Sequence, residues 1–251
     1  MFDPAFPGRF ELFTPSHVAT MACIAALWIA IPLAFRRWAS SRADRIFCHS
    51  LAWLLVAQYL GWMLWEAFTG RFSLQHSLPV NLCDISNFLC AVLLITKSYR
   101  LFEVVYFWAL AGTIQSYITP NIHYSFPHFE FFAFYIQHGG EILSVLYLTI
   151  VSGMRPRPVS MLKALFWLAV LIAVTYIINL GTGGNYMFLM ADTPHPSTVT
   201  RMIHIFGEPP LHMIGLGIVA VFSVLVLYAP FAIKDAAGRT AGHSVRKDHF
   251  H

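Results

Sequence analysis

Residues 17–35 read HVATMACIAALWIAIPLAF, and Arg36 and Arg37 follow directly. The stretch holds no Asp, Glu, Lys or Arg. A helix that crosses a bilayer needs about 20 mostly apolar residues, and this run has that length and composition. A secretory leader carries its positive charges ahead of the apolar core. Here the arginines come behind it, so the run reads as a retained transmembrane helix.

Six further stretches of the same kind follow, at roughly 47–68, 80–96, 101–119, 130–152, 160–180 and 210–233. The whole chain agrees with them. Of its 251 residues 57% are hydrophobic and 11% charged, with 22 Phe and 7 Trp. Globular domains carry about 25% charged residues. The excess of apolar surface suits a lipid-facing protein. The expected fold class is therefore all-α, a polytopic membrane protein of seven transmembrane helices. One membrane domain is expected over residues 1–233, with a short polar cytoplasmic tail over 234–251. The third and fourth stretches are the least lipid-like and are expected in the bundle interior.

The loops give an orientation. Arg36, Arg37, Arg42 and Arg45 follow the first stretch, Lys97 and Arg100 the third, and Arg155, Arg157 and Lys163 the fifth. Lys234, Arg239, Arg246 and Lys247 follow the last. Thirteen of the 16 Lys and Arg thus fall on one side, against Arg9, Arg71 and Arg201 on the other. Basic loops stay in the cytoplasm, which puts the N-terminus outside and the C-terminus inside a cell membrane. The positive balance marks topology and not a nucleic-acid partner. The four cysteines, Cys23, Cys48, Cys83 and Cys90, lie in or beside apolar runs without metal-finger or disulfide spacing.

Polar residues gather in the outer half. They include Glu66, Asn81, Cys83, Asp84, Gln115, His128, Gln137, His138, Asn179, Asn185 and Tyr186. Such groups are costly in a membrane and face a bundle interior or a wet cavity. Cys83 in LPVNLCDIS, residues 78–86, and His138 in FYIQHGGEI, residues 134–142, stand at similar depth. A cysteine becomes a nucleophile when a base or a helix N-terminus favours its thiolate. The plain structural readings stand beside this. A cysteine in a membrane helix is commonly a small apolar residue, and Asn81, Asp84 and Ser86 suit a helix cap. Gly139 and Gly140 suit helix packing. A metal reading uses His76, His123, His128, His195, His204 and His212, but no metalloprotease-like pair at helical spacing occurs. No metal or other cofactor is expected.

LPVNLCDIS, FEVVYFWALAGTIQSYITP (102–120), FPHFEFFAFYIQHG (126–139) and NYMFL (185–189) resemble the YwaF-like bacterial membrane proteins. These are similar to the animal transmembrane protein 164 family. The resemblance covers roughly residues 15 to 230. It implies a cysteine-centred lipid acyltransferase, with Cys83 at the position of the active cysteine and His138 at that of the histidine. It also implies kinship with the androgen-induced, threonine- and histidine-dependent membrane lipid hydrolases. On this reading Cys83 attacks an ester carbonyl and His138 takes its proton. Asn81, Asn179 or Asn185 would donate to the oxyanion, and Asp84 would orient His138 or cap the helix. Gln115, Gln137, Tyr186 and His128 would line the pocket. The expected partner is a membrane phospholipid or lysophospholipid. Two alternatives stay open: a non-catalytic lipid or small-molecule binding or transport protein, and a metal-dependent lipid hydrolase.

Overall fold

The computed structural model describes residues 2–3, 6–190, 205, 207 and 210–247, with side chains placed as far as Ala237. His195, Arg201, His204, His249 and His251 lie outside the described residues. Seven α-helices form most of the described chain: α1 (Pro15–Trp38), α2 (Ser41–Phe68), α3 (Leu82–Thr96), α4 (Tyr99–Ile118), α5 (Phe129–Ile150), α6 (Pro158–Thr182) and α7 (His212–Lys247). A single 3₁₀ turn, Tyr186–Phe188, follows α6. Among the described residues no strand forms. One isolated bridge joins Arg9 to Tyr124.

Each apolar stretch of the sequence becomes one helix, and its local chemistry sets the ends. Pro15 opens α1 at a position where the missing N–H is harmless. Ser40 caps α2 by accepting the Ala43 N–H at 3.2 Å, so that helix begins at Ser41, ahead of the apolar run expected from 47. Gly183 closes α6 with φ +69°, a left-handed conformation that costs glycine nothing. The last helix runs on to Lys247 and takes in much of the segment expected as a tail.

Among the described residues five helices are long and apolar enough to cross a membrane: α1, α2, α4, α6 and the His212–Ala237 part of α7. Helix α3 has only 15 residues. Helix α5 carries Glu130, Gln137, His138 and Glu141, and it is the centre of the bundle. It packs against α1, α2, α3 and α4, while α6 and α7 pack on α4. Most of α4 is buried as well, whereas α1, α6 and α7 turn large apolar side chains outward, among them Leu27, Leu33, Phe166, Ile177, Ile218 and Phe222. A continuous apolar exterior of this kind is what a bilayer covers.

The two ends of the bundle differ. At one, Asp44 of α2 takes Lys97 at 2.5 Å and the Tyr147 hydroxyl at 2.8 Å. Buried Glu103 of α4 accepts from Ser160 at 2.8 Å, Arg157 at 3.1 Å and Lys163 at 2.5 Å. Arg155 meets Asp235 there too. The basic loops therefore share one end. At the other, the N-terminal segment folds over the rim. Phe10 N–H donates to His123 O at 2.9 Å, and Arg71 donates to the Tyr124 hydroxyl at 2.7 Å.

Candidate functional site

The site is built by a helix that starts inside the bundle. Gln137 of α5 donates to Asp84 Oδ1 of α3 at 3.4 Å. Gln137 lies eight residues after Phe129, so at a rise of 1.5 Å per residue the first turn of α3 sits about 12 Å below the start of α5. The chain descends to that depth through 74–81 without helix. Non-helical backbone is tolerated at such depth only where protein covers it, and Tyr186 covers it here. The Tyr186 hydroxyl accepts from Leu78 N–H and donates to Leu74 O, both at 2.9 Å. Asn179 holds Tyr186 in turn: Nδ2 donates to its carbonyl at 3.0 Å and Oδ1 accepts its N–H at 2.9 Å. The 3₁₀ turn then docks on α3, where Met187 N–H donates to Asn81 Oδ1 at 3.1 Å.

Asn81 is the N-cap of α3. Its backbone N–H and its Nδ2 both donate to Asp84 Oδ2, at 3.3 and 2.9 Å. Asp84 thus receives three donors with Gln137, whose Oε1 is met by Gln58 of α2 at 3.5 Å. Cys83 is half-buried in the same first turn. Its thiol lies beside the hydroxyls of Thr113 and Ser116 of α4, with the carboxylates of Glu141 and Asp84 as its nearest charges. Thr113 also donates to Glu141 Oε2 at 2.9 Å. Glu141 is fully buried, and its Oε1 accepts no hydrogen bond. Gln137 faces both carboxylates.

His138 is the next residue after Gln137, at the level of this cluster. Its Nδ1 stands 2.9 Å from Phe134 O, the geometry of an N–H donor, which leaves Nε2 as the basic nitrogen. Its ring stacks on Phe134, with centroids 3.9 Å apart. No hydrogen bond joins His138 to Cys83 among the described residues. Gly139 and Gly140 face α1 and α2. A Cβ at Gly139 would stand 2.9 Å from Ile24, and one at Gly140 2.7 Å from Leu55. The Trp28 indole donates to Gly139 O at 2.8 Å. The glycine pair is a helix-packing device.

The structure thus gathers Asn81, Cys83, Asp84 and Gln137, whereas the partner of His138 is Phe134, one turn back on its own helix. It adds Gln58, Thr113 and Glu141, which the sequence reading did not single out. The remaining candidates stand elsewhere. Both ends of the Asn179 amide are engaged by backbone, and Asn185 Oδ1 accepts the Met190 N–H at 2.8 Å. His128 is a buried cap at the rim, where Nδ1 accepts Glu130 N–H at 3.1 Å and Nε2 lies 3.2 Å from Asp3 O. Burial holds its imidazole below its ordinary range. Gln115 is exposed on α4. His123, exposed at the rim, is raised above the ordinary range by its 3.1 Å contact with Glu130. Among the described residues no three His, Cys, Asp or Glu side chains converge to hold a metal ion.

Against known proteins, the TMEM164 family matches residues 12–228. The chain belongs to that family. An uncharacterised protein of Treponema pallidum (strain Nichols) is 24% identical over 227 residues, covering 89% of this chain and 91% of its own. No solved structure matches. The matched span runs from just ahead of α1 to within α7, so the family segment includes every residue of the cluster.

Proposed function

We propose that this TMEM164 family member is a membrane-embedded enzyme that moves an acyl chain from a lipid ester through Cys83. The observation that carries the reading is the placement of Cys83. It is half-buried, in the first turn of a helix that starts inside the bundle, beside two hydroxyls and a buried polar cluster. The first-turn amides of α3 lack the i−4 acceptors of a helix interior. They are the donors an oxyanion formed at Cys83 would meet, and one such donor is worth about 3 kcal/mol of barrier. The helix N-terminus favours the thiolate as well. The activity implied by the resemblance, acyl transfer through a cysteine, is the one this arrangement fits.

In the first half-reaction the Cys83 sulfur attacks the ester carbonyl, the acyl C–O bond breaks, and a thioester and a lysolipid alcohol form. In the second, an acceptor alcohol or water attacks the thioester and restores the thiol. His138 Nε2, at the level of the cluster, is the base for that acceptor. The sequence reading gave His138 the thiol proton as well. We further propose that all seven helices are set in the bilayer of the cell membrane, the N-terminus outside. The centrality of α5 supports this, because it packs against α1, α2 and α4, three helices long and apolar enough to cross a membrane.

The test uses full-length protein in phospholipid vesicles with isotope-labelled donor lipids, products being read by mass spectrometry. Wild type should exchange or release acyl chains. Cys83→Ala and His138→Ala, equally expressed, should each lower the rate by at least about 100-fold. Activity that survives Cys83→Ala would overturn the reading and leave a lipid-binding role for the cluster.

A further inference from the structure

The basic end of the bundle carries a groove that no step above uses. Its volume is about 440 Å³, within the roughly 300–1,000 Å³ of small-ligand sites. Three parts of the chain build it. Arg36 comes from the last turn of α1, Ser152, Gly153 and Arg155 from the loop after α5, and Phe231 and Lys234 from α7. Gly153 stands at φ +70°, and no atom lies within 4 Å of where its Cβ would be, so the space above the loop is open.

The three cations differ in what holds them. Arg155 is fixed in place. Its Nη2 donates to Asp235 Oδ2 at 2.5 Å, its guanidinium carbon lies 5.8 Å from the Phe231 ring centroid, and its carbonyl accepts the Tyr99 hydroxyl at 2.9 Å. Arg36 and Lys234 are exposed, and neither makes a hydrogen bond or an ion pair among the described residues. Basic side chains at a helix C-terminus often serve its last carbonyls. Backbone does that work here. Val151 N–H donates to Tyr147 O at 2.7 Å and Met154 N–H to Leu148 O at 3.1 Å at the end of α5, and Ala39 N–H donates to Phe35 O at 3.0 Å at the end of α1. Asp235 offsets one of the three charges, so the groove keeps a net positive lining that an anion complements.

The surroundings select the anion. Phe231 gives the groove an apolar wall. Inward along the same two helices, Leu33 of α1 and Val226 of α7 expose their side chains. A phosphate held by the cations would have apolar surface below it for acyl chains. Basic pockets between membrane helices bind acidic headgroups in this way, whereas a soluble phosphate would use the cations alone.

We propose that this groove binds an acidic phospholipid, with the phosphate between Arg36, Arg155 and Lys234 and the acyl chains along α1 and α7. The proposal rests on the helices being set in a bilayer and not on acyl transfer by Cys83. The groove lies at the far end of the bundle from the Cys83 cluster, so this lipid is separate from the acyl donor. With the basic end in the cytoplasm, it belongs to the cytoplasmic leaflet.

The test counts bound lipid. Full-length protein in detergent micelles is mixed with equal amounts of phosphatidylglycerol and phosphatidylcholine that carry the same acyl chains. The lipid retained is read by native mass spectrometry. Wild type should retain phosphatidylglycerol in preference, and excess inorganic phosphate should not displace it. Arg36→Gln combined with Lys234→Gln should weaken that retention by about tenfold. Arg42→Gln combined with Arg100→Gln removes the same charge from the same end, outside the groove, and should retain the lipid as wild type does. Equal retention of the two lipids, or equal loss in the two double variants, would overturn the proposal. Displacement by inorganic phosphate would also overturn it and make the groove a site for a soluble phosphate. Cys83→Ala should keep the bound phosphatidylglycerol, so the loss of either reading leaves the other standing.

Discussion

Asn179 shows how a single polar side chain fixes the position of a reactive one some distance away. Its amide satisfies the backbone of Tyr186, whose hydroxyl holds Leu74 and Leu78 above the first turn of α3. Asn179→Leu would leave a buried N–H and a buried carbonyl without partners, which costs about 1–3 kcal/mol each. The melting temperature in detergent should fall by several degrees, and Asn179→Asp, which keeps the acceptor, should fall between the two. A second residue-scale expectation concerns pH. Glu130 raises His123 above the ordinary imidazole range. A group whose folded value is raised contributes stability that is full below the unfolded value and is lost as pH rises through the folded one. Wild type should therefore lose its margin over His123→Asn between about pH 6 and 8 in thermal melts. The imidazole is exposed, so the margin is under about 1 kcal/mol. Asn179 and Tyr186 were legible in the sequence as polar outer residues but not as a clamp. That role depends on where the 185–190 turn returns, and local sequence does not encode it. Glu141 was closer to legible: Gln137 and Glu141 are four apart and share one face of α5.

At the scale of elements, the apolar stretches became helices because uninterrupted hydropathy reports a helix that is lipid-facing or buried all round. The same property hid the arrangement. A run of Leu, Phe and Ala looks alike whether lipid or another helix covers it, so the central place of α5 had to come from packing. Glycines mark that place. Gly140 lets α5 approach α2 so closely that an added Cβ would stand 2.7 Å from Leu55 Cδ2. That atom is the end of a flexible side chain. Gly140→Ala should therefore be mildly destabilising, within about 1 kcal/mol, and Gly140→Leu should cost about 1–3 kcal/mol or more through overpacking. Thermal melts of the two variants in the same detergent check the order. Equal stability of both would mean that α2 and α5 separate without cost. Helix α3 was readable as short and polar at its start, and the structure gives the reason. It begins where Asp84, held by Asn81, can accept from Gln137, below the rim.

For the whole molecule, the uneven charge of the two ends bears on which leaflet lies nearer the Cys83 cluster. Lys97, Arg155, Arg157 and Lys163 all stand at one end, joined there by Asp44, Glu103 and Asp235. These pairs hold the basic loops together without removing their excess of positive charge, and on the proposed orientation they face the cytoplasm. The cluster lies nearer the opposite end, about 12 Å in from the start of α5. A lipid ester reaching it would then come from the outer leaflet. Asn121 and Ser152 are exposed at the two ends and offer a direct measurement. Single cysteines are placed at each in a chain whose four native cysteines are replaced. Spheroplasts are then treated with a membrane-impermeant maleimide, before and after permeabilisation. Asn121→Cys should label at once, and Ser152→Cys only after permeabilisation. The reverse pattern would turn the bundle over and hand the cluster to cytoplasmic-leaflet lipids, leaving its internal chemistry unchanged. Labelling of both from outside would mean that α3 or α5 fails to cross, and the seven-span reading would fall with the orientation.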